Sequence, residues 1–412
     1  MAHLLILLAG VYSSSAGYHQ SESKYNTLRQ YIKRSKPDAL CPSQDDNYNA
    51  LTANACKNII QTIERGAIMW NASKCNLCGD CLVKCRYVDY DKAKAVAEIK
   101  LLMDGKDAEI LKKCTTCMAC MDYCQTGADP ANLIFQMQEK IGTAPIVTVG
   151  KPAREALAKV LEGSGDSGQV IPGDPDKPVL SFDSFQFEQF PEGTLDSQLF
   201  KGMTVVRGNE YASLAGYVHM GGESFVKKYG QGVLDRLAKL GKDIVYIHNE
   251  GFVLADVKAK EYGFKVPFKY MHLFEYLRNY LIDHKDKVTK LNKKVAYQAN
   301  CATRWIPEND AFLDEIFQLI GVERPQRQYE RLNALCCSGP LVFANRELAI
   351  DIQKKNFEDA IACGADAIVT SCPMCDAVFR RPSSQFGLPK IFITDLCRIA
   401  LGEKTWPQGT PN

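Results

Sequence analysis

The sequence predicts an α+β multidomain chain: an all-helical front domain, then a pair of α/β domains of which one copy is degenerate. Three observations lead there. Ten of the 17 cysteines fall before residue 150, in segments whose apolar residues recur at the helical period. Residues 201–412 alternate short β-like runs with helical patterns, the order that gives a mainly parallel sheet. That second region also repeats itself weakly, the mark of a duplicated unit.

Composition narrows the function. A length of 412 residues allows two or three domains. Hydrophobic residues at 46% and charged residues at 24% are ordinary for a globular protein. Lys+Arg of 50 against Asp+Glu of 48 leaves a formal charge of +2, which excludes a strongly basic nucleic-acid binder and a polyanionic tail. No apolar run reaches the roughly 18 residues of a membrane span. The 17 cysteines, an odd number in fixed short spacings beside six histidines, do not form a disulfide framework. They look like thiolate metal ligands in a reducing compartment.

Residues 1–65 are expected to form an N-terminal arm with helices. The run Leu4-Leu5-Ile6-Leu7-Leu8-Ala9 followed by Ser13-Ser14-Ser15-Ala16-Gly17 has the outline of a signal peptide, but no Lys or Arg precedes it. The favoured reading is an apolar arm packed on its own core or on a partner subunit. Cys41 and Cys56 have no short-spaced partner and receive no role.

Residues 66–150 carry two motifs: Cys75-x2-Cys78-x2-Cys81-x3-Cys85 and Cys114-x2-Cys117-x2-Cys120-x3-Cys124. Thiolate is a soft donor that suits an iron–sulfide core. Two-residue spacings let three thiolates close on one cubane, while the fourth cysteine reaches the other cluster. Cys75, Cys78, Cys81 and Cys124 are therefore assigned to one [4Fe–4S] cluster, and Cys114, Cys117, Cys120 and Cys85 to the second. Structural zinc is the plain alternative, but it gives no reason for a doubled four-cysteine run. Arg86 and Gln125 stand where the usual bacterial run has proline, and 91–111 between the motifs reads as helix.

Residues 151–200 hold Gly163, Gly165, Gly168, Pro172, Gly173, Pro175, Pro178, Pro191 and Gly193, and are expected to be a linker or wrapping segment. Phe182, Phe185, Phe187 and Phe190 would anchor it to this chain or to a partner. Residues 201–292 and 293–412 form the α/β pair. Ile244–Ile247 and Ala367–Thr370 read as buried strands, Leu273–Ile282 and Glu347–Cys363 as helices. Within the repeat, Val205–Glu210 matches Val295–Cys301, with Asn209 on Asn300. His219-Met220-Gly221-Gly222 matches Cys336-Cys337-Ser338-Gly339, and 241–251 matches 364–375. Glu210, His219, Met220, His248 and Gly251 thus stand where the other copy has cysteines. His219 and His248 suit a ligand or proton-donor role, but the favoured reading makes them ordinary residues of a structural copy. Cys363 and Cys397 lie on apolar helical backgrounds and are expected in the core.

The remaining constellation is Cys301-x34-Cys336-Cys337-x34-Cys372-x2-Cys375. Five cysteines are one more than a cubane takes. Cys372 follows a strand, at the end where α/β sheets place their sites. Cys336-Cys337-Ser338-Gly339 precedes a helical run near Asn345, whose N-terminus would offset thiolate charge.

The front motifs resemble the all-helical ferredoxin domain of succinate dehydrogenase and heterodisulfide reductase iron–sulfur subunits. The C-terminal constellation resembles the cysteine-rich CCG domain of heterodisulfide reductase catalytic subunits. The layout, over roughly 70–130 and 200–400, is similar to the D-type group of heterodisulfide reductase proteins, with the DsrK and TmcB/HmcF-type iron–sulfur proteins of respiratory membrane complexes. The resemblance implies an all-helical two-cluster ferredoxin domain followed by an α/β CCG-type domain pair with one degenerate copy. It implies a noncubane [4Fe–4S] cluster on Cys301, Cys336, Cys337, Cys372 and Cys375 that splits disulfide bonds. The expected function is an oxidoreductase subunit passing electrons from a membrane partner through two cubanes to that cluster, which reduces or oxidises a disulfide, trisulfide or dithiol. Because one cysteine set is missing, pure electron transfer without disulfide chemistry stands as the second reading. No flavin or nicotinamide is expected on this chain, since no nucleotide fingerprint is present. Expected partners are a membrane cytochrome b-type subunit, multihaem cytochrome c subunits, and a disulfide-bearing small molecule or small sulfur-carrier protein, with no nucleic acid. The expected location is cytoplasmic, peripheral on the inner membrane.

Overall fold

A computed structural model describes residues 69–164 and 168–407. The chain divides into two compact units, Met1–Ala67 and Ile68–Asn412. The expectations for the N-terminal arm, Cys41 and Cys56 lie outside the described residues. Both four-cysteine motifs and the five-cysteine constellation belong to the second unit.

Its front part is helical: Asp80–Val83, Lys92–Met103, Ile110–Lys113, Ala119–Tyr123, Pro130–Ile141 and Pro145–Leu161. The helix expected over 91–111 is broken in two. Asp91 caps its start, accepting from Lys94 N at 2.7 Å, and Gly105 (φ 71°) turns the chain after Met103. Ala95, Ile99 and Leu102 form its buried stripe. Pro130–Ile141 is bounded by the same chemistry: Asp129 accepts from Asn132 N, Pro130 opens the helix, and Gly142 (φ 74°) closes it. Two buried side chains fix the segment around Ile110: Glu98 accepts from Ile110 N at 2.8 Å, and Gln138 donates to Leu111 O at 3.0 Å.

Two sheets follow. The first has β1 (Gln169–Ile171), β2 (Val179–Ser181), β3 (Thr204–Arg207), β4 (Ile244–Tyr246) and β5 (Tyr270–His272) in the order β1-β3-β2-β4-β5. The second has β6 (Lys293–Tyr297), β7 (Val322–Glu323), β8 (Ala367–Thr370) and β9 (Lys390–Phe392) in the order β7-β6-β8-β9. All pairings are parallel except β1 with β3. The expected helices are present as Leu273–Asp283 and Arg346–Ala362.

The linker expectation for 151–200 is corrected. Its first part continues the helix that ends at Leu161, and β2 is an interior strand hydrogen-bonded to both β3 and β4. Glycine and proline bracket β2 rather than interrupt it, and Val179, Leu180, Ser181 and Phe182 are all buried. The first α/β half therefore begins near residue 169, not 201. Phe182 and Phe190 are core residues of this chain.

The repeat is corrected with it. β6 is the strand lying between β7 and β8, and its counterpart lying between β3 and β4 is β2. The ladder registers set Val179 against Ile244 and Ala296 against Ile368, so Asp183, not Asn209, holds the place of Asn300. Glu210 sits elsewhere, in the turn Asn209–Tyr211. The match of His248 to Cys372 agrees with the structure, since each caps a helix that follows its strand.

Strand alternation joins the layers. Val179, Val206, Ile244 and Tyr246 share a core with the helical front part. Leu180, Val205, Val245 and Ile247 point the other way, into a core shared with Tyr297, Val369 and Phe392 of the second sheet. Burial on both faces explains why these strands read as unbroken apolar runs.

Candidate metal centre

Both front motifs bend alike. The residues two and four after the first cysteine are left-handed: Leu77 (φ 57°) and Gly79 (φ 77°), then Thr116 (φ 59°) and Met118 (φ 62°). Such a backbone costs an L residue roughly 1–2 kcal/mol, yet it recurs at three non-glycine positions. In the second motif it aims an amide inward, Thr116 N donating to Cys114 Sγ at 3.3 Å. Ala128 N donates to Cys124 Sγ, also at 3.3 Å.

The thiols of the two motifs shift one another's acidity. Burial, then Cys124, Cys78 and Cys75, push Cys81 up to about 12. Burial and Cys117 push Cys85 up to about 11. Burial raises Cys114, with Cys117 and Cys85 adding to it. Cys120 is raised by burial, then by Cys114, Cys117, Cys81 and Cys85. Cys81 thus lies in the charge range of Cys75, Cys78 and Cys124, and Cys120 in that of Cys81, Cys85, Cys114 and Cys117. Thiols buried together ionise together only beside a positive centre that replaces lost water. An iron–sulfide core is such a centre, and these soft donors fit it. A cavity bounded by Cys85, Cys114, Cys117 and Cys120 reaches Tyr87 and Ala334.

The second sheet gathers the other five. β6 and β8 are adjacent, and both end toward the same rim. Cys301 opens the turn Cys301–Trp305 after β6, where Asn300 accepts from Thr303 N at 3.2 Å. Cys372 caps the helix Pro373–Val378 after β8, and Cys375 lies within it. Cys336 and Cys337 come from the loop before Leu341–Ala344. Ser338 there is left-handed (φ 64°) and donates from its amide to Cys336 Sγ at 3.2 Å. A Cβ on Gly339 would stand 2.5 Å from Met374, so this loop lies against the Cys372–Cys375 turn. Cys336 and Cys375 act on the acidity of Cys337, and Cys337 and Cys372 on that of Cys375, so these thiols influence one another. Cys301 feels Cys337 and Cys372. Hydrogen bonds from Cys375 and then His248 pull Cys372 down to about 6.

Two residues that the sequence reading passed over join the second set to the five. The Tyr87 hydroxyl accepts from Cys336 N at 3.0 Å, and its acidity is suppressed by burial, then by Cys117 and Cys336. Arg304 is buried, pairs with Asp122, and donates to Cys117 O (3.0 Å), Leu332 O (3.2 Å) and Ala334 O (2.9 Å). Their positions just after Cys85 and Cys301 were the available signal.

The degenerate half does not stand apart. His219 Nε2 lies 3.9 Å from Cys301 Sγ and 3.4 Å from Glu250 Oε1, and its Nδ1 lies 3.3 Å from Thr116 Oγ1. His248 Nε2 lies 3.6 Å from Cys372 Sγ, and its Nδ1 lies 3.1 Å from Asp183 Oδ2. Burial opposes a proton on His248, but Glu250, Asp183 and Cys372 raise it well above the ordinary range. Phe185 packs edge-on against its ring at 4.8 Å. The expectation that these histidines are ordinary residues of a structural copy is corrected: both reach the cysteine constellation. Asp183 was missed because it lies in the supposed linker. Cys397 is fully buried, whereas Cys363 is only half-buried and donates to Ala360 O at 3.1 Å.

Residues 295–380 match the model of the cysteine-rich CCG domain. No curated protein matches the chain. Among solved structures, a hypothetical protein from Helicobacter pylori is similar in fold, with a TM-score of 0.51 and 14% identity over 93% of this chain and 76% of that one. Among the described residues no helix is long and apolar enough to cross a membrane. The CCG domain and the gathered cysteines fit an iron–sulfur redox protein.

Proposed function

We propose that the chain is an iron–sulfur oxidoreductase subunit of the heterodisulfide reductase type. In this reading the two four-cysteine sets hold [4Fe–4S] cubanes and the five-cysteine set holds a noncubane [4Fe–4S] cluster. Electrons pass between a membrane cytochrome b-type partner and a disulfide, trisulfide or dithiol on a small molecule or sulfur carrier. The protein then sits on the cytoplasmic face of the membrane. When bound, these groups supply single-electron transfer, and the last supplies the two steps that turn one S–S bond, two electrons and two protons into two thiols.

The carrying observation is the convergence of Cys301, Cys336, Cys337, Cys372 and Cys375 at the carboxyl ends of β6 and β8, beside the second four-cysteine set. Cys120 feels the charge of Cys81, and Tyr87 feels that of Cys117 and accepts from Cys336 N, which supports an order of the three sets along the chain of contacts. Arg304 holds the last junction, and the amides of Thr116, Ala128 and Ser338 donate to sulfur.

Burial favours a rival reading, electron relay alone: Cys337, Cys372 and Cys375 are 7%, 7% and 2% exposed. The test is to reduce the purified chain, add a thiol or disulfide, and look for a substrate-dependent paramagnetic signal. Disulfide chemistry gives that signal, and Cys337→Ala abolishes it while both cubane signals remain. A relay gives none.

A further inference from the structure

His219, Glu250 and Cys301 offer ligand atoms that all lie within 4.8 Å of one another. Nothing in the disulfide reading requires the first two. Their edges are informative: 3.9 Å from Cys301 Sγ to His219 Nε2, and 3.4 Å from that nitrogen to Glu250 Oε1. A tetrahedral ion with sulfur at about 2.3 Å and nitrogen or oxygen at about 2.0–2.1 Å has edges of roughly 3.6 and 3.3 Å.

The surroundings are those of a held ligand. The His219 side chain is 5% exposed and that of Glu250 is 18% exposed. Thr116 Oγ1 takes the Nδ1 side of the ring at 3.3 Å, which leaves Nε2 aimed at Cys301. That is the outer arrangement by which proteins orient a metal-binding imidazole. Gly216 leaves room for the carboxylate, because a Cβ there would collide with Glu250. His248 differs: it lies between Asp183 and Cys372 as a hydrogen-bonding group, outside any such trio among the described residues.

We infer that Cys301, His219 and Glu250 form one mixed sulfur–nitrogen–oxygen coordination position, occupied by a single iron at the edge of the five-cysteine set. The inference rests on the iron–sulfur reading above. It gives the degenerate half a chemical task, since two of the three ligands come from it and are not thiolates.

The test uses the full chain, purified without oxygen and loaded with 57Fe. Iron content comes first. Fewer than roughly twelve irons, with no signal from the five-cysteine set, would sink the underlying reading. With that signal present, pulsed electron paramagnetic resonance should show a directly bound imidazole nitrogen, identified by 15N-histidine labelling. The coupling should vanish in His219→Gln and persist in His248→Gln. Glu250→Gln should change the Mössbauer parameters of one iron and leave the others alone. Absence of any bound imidazole nitrogen in the wild-type chain overturns the inference without reference to a variant. So does a coupling that survives His219→Gln.

Discussion

Arg304 is 8% exposed, yet it serves three carbonyls and Asp122 across the junction between the front helices and the second sheet. A planar guanidinium with several fixed donors can do this, and a single ammonium cannot. Breaking a buried ion pair on one side costs about 3–5 kcal/mol. Arg304→Met should therefore lower unfolding stability by about that much in denaturant titration, and Arg304→Lys should recover only part. Tyr87→Phe is a milder probe of the same junction. It removes the acceptor of Cys336 N, 3.0 Å away. The expected loss is about 1–3 kcal/mol by thermal unfolding, with the cubane signals unchanged. Neither residue has a motif of its own. Each acts through a backbone group far along the chain, so closeness to Cys85 or Cys301 in sequence hinted at a role without showing what either residue binds.

His272 illustrates an element-level constraint. It ends β5 and caps Leu273–Asp283, its Nδ1 accepting from Phe274 N at 3.1 Å, while Nε2 lies 3.1 Å from Asn249 Oδ1. Burial, then the charge on His248, push it down to about 3. The folded chain leaves it neutral, whereas the unfolded chain takes up a proton below its ordinary value of about 6.5. Its contribution is thus full above that pH and is lost as pH falls from 6.5 toward 3, by at most about 1.4 kcal/mol per unit. His272→Asn keeps a capping acceptor and should flatten the pH dependence relative to wild type, measured by urea unfolding between neutral and mildly acid pH. Packing of the neighbouring helix Asn249–Val253 is as tight. A Cβ on Gly251 would stand 2.5 Å from the Tyr246 ring. Gly251→Ala should cost about 1–3 kcal/mol in the same assay. Gly251 holds the place of Cys375 in the repeat, and its small size keeps the helix against β4.

For the whole molecule, the three-cluster reading proposed above predicts metal content. Roughly twelve irons per chain are expected, falling to about eight when Cys337 and Cys375 are both replaced by Ala. Iron and sulfide analysis of the purified proteins checks both figures. The parallel α/β region, the helices Leu273–Asp283 and Arg346–Ala362, and the strand β8 were legible in the chain because periodicity and short spacing are local properties. The two motifs and the five-cysteine constellation were legible for the same reason. β2 was not, because its three residues are hidden between breakers, and only pairing with β3 and β4 makes them a strand. Its misplacement carried over to the repeat and hid Asp183. What the amino-acid order showed by itself was the grouping of the cysteines at short fixed intervals, since residue type and local spacing are written in sequence. Tertiary structure alone decided that His219, Glu250 and His248 meet Cys301 and Cys372. The two histidine–cysteine contacts join residues 82 and 124 positions apart, and they exist only because two sheets share one core and bring the degenerate half against the cysteine-bearing one.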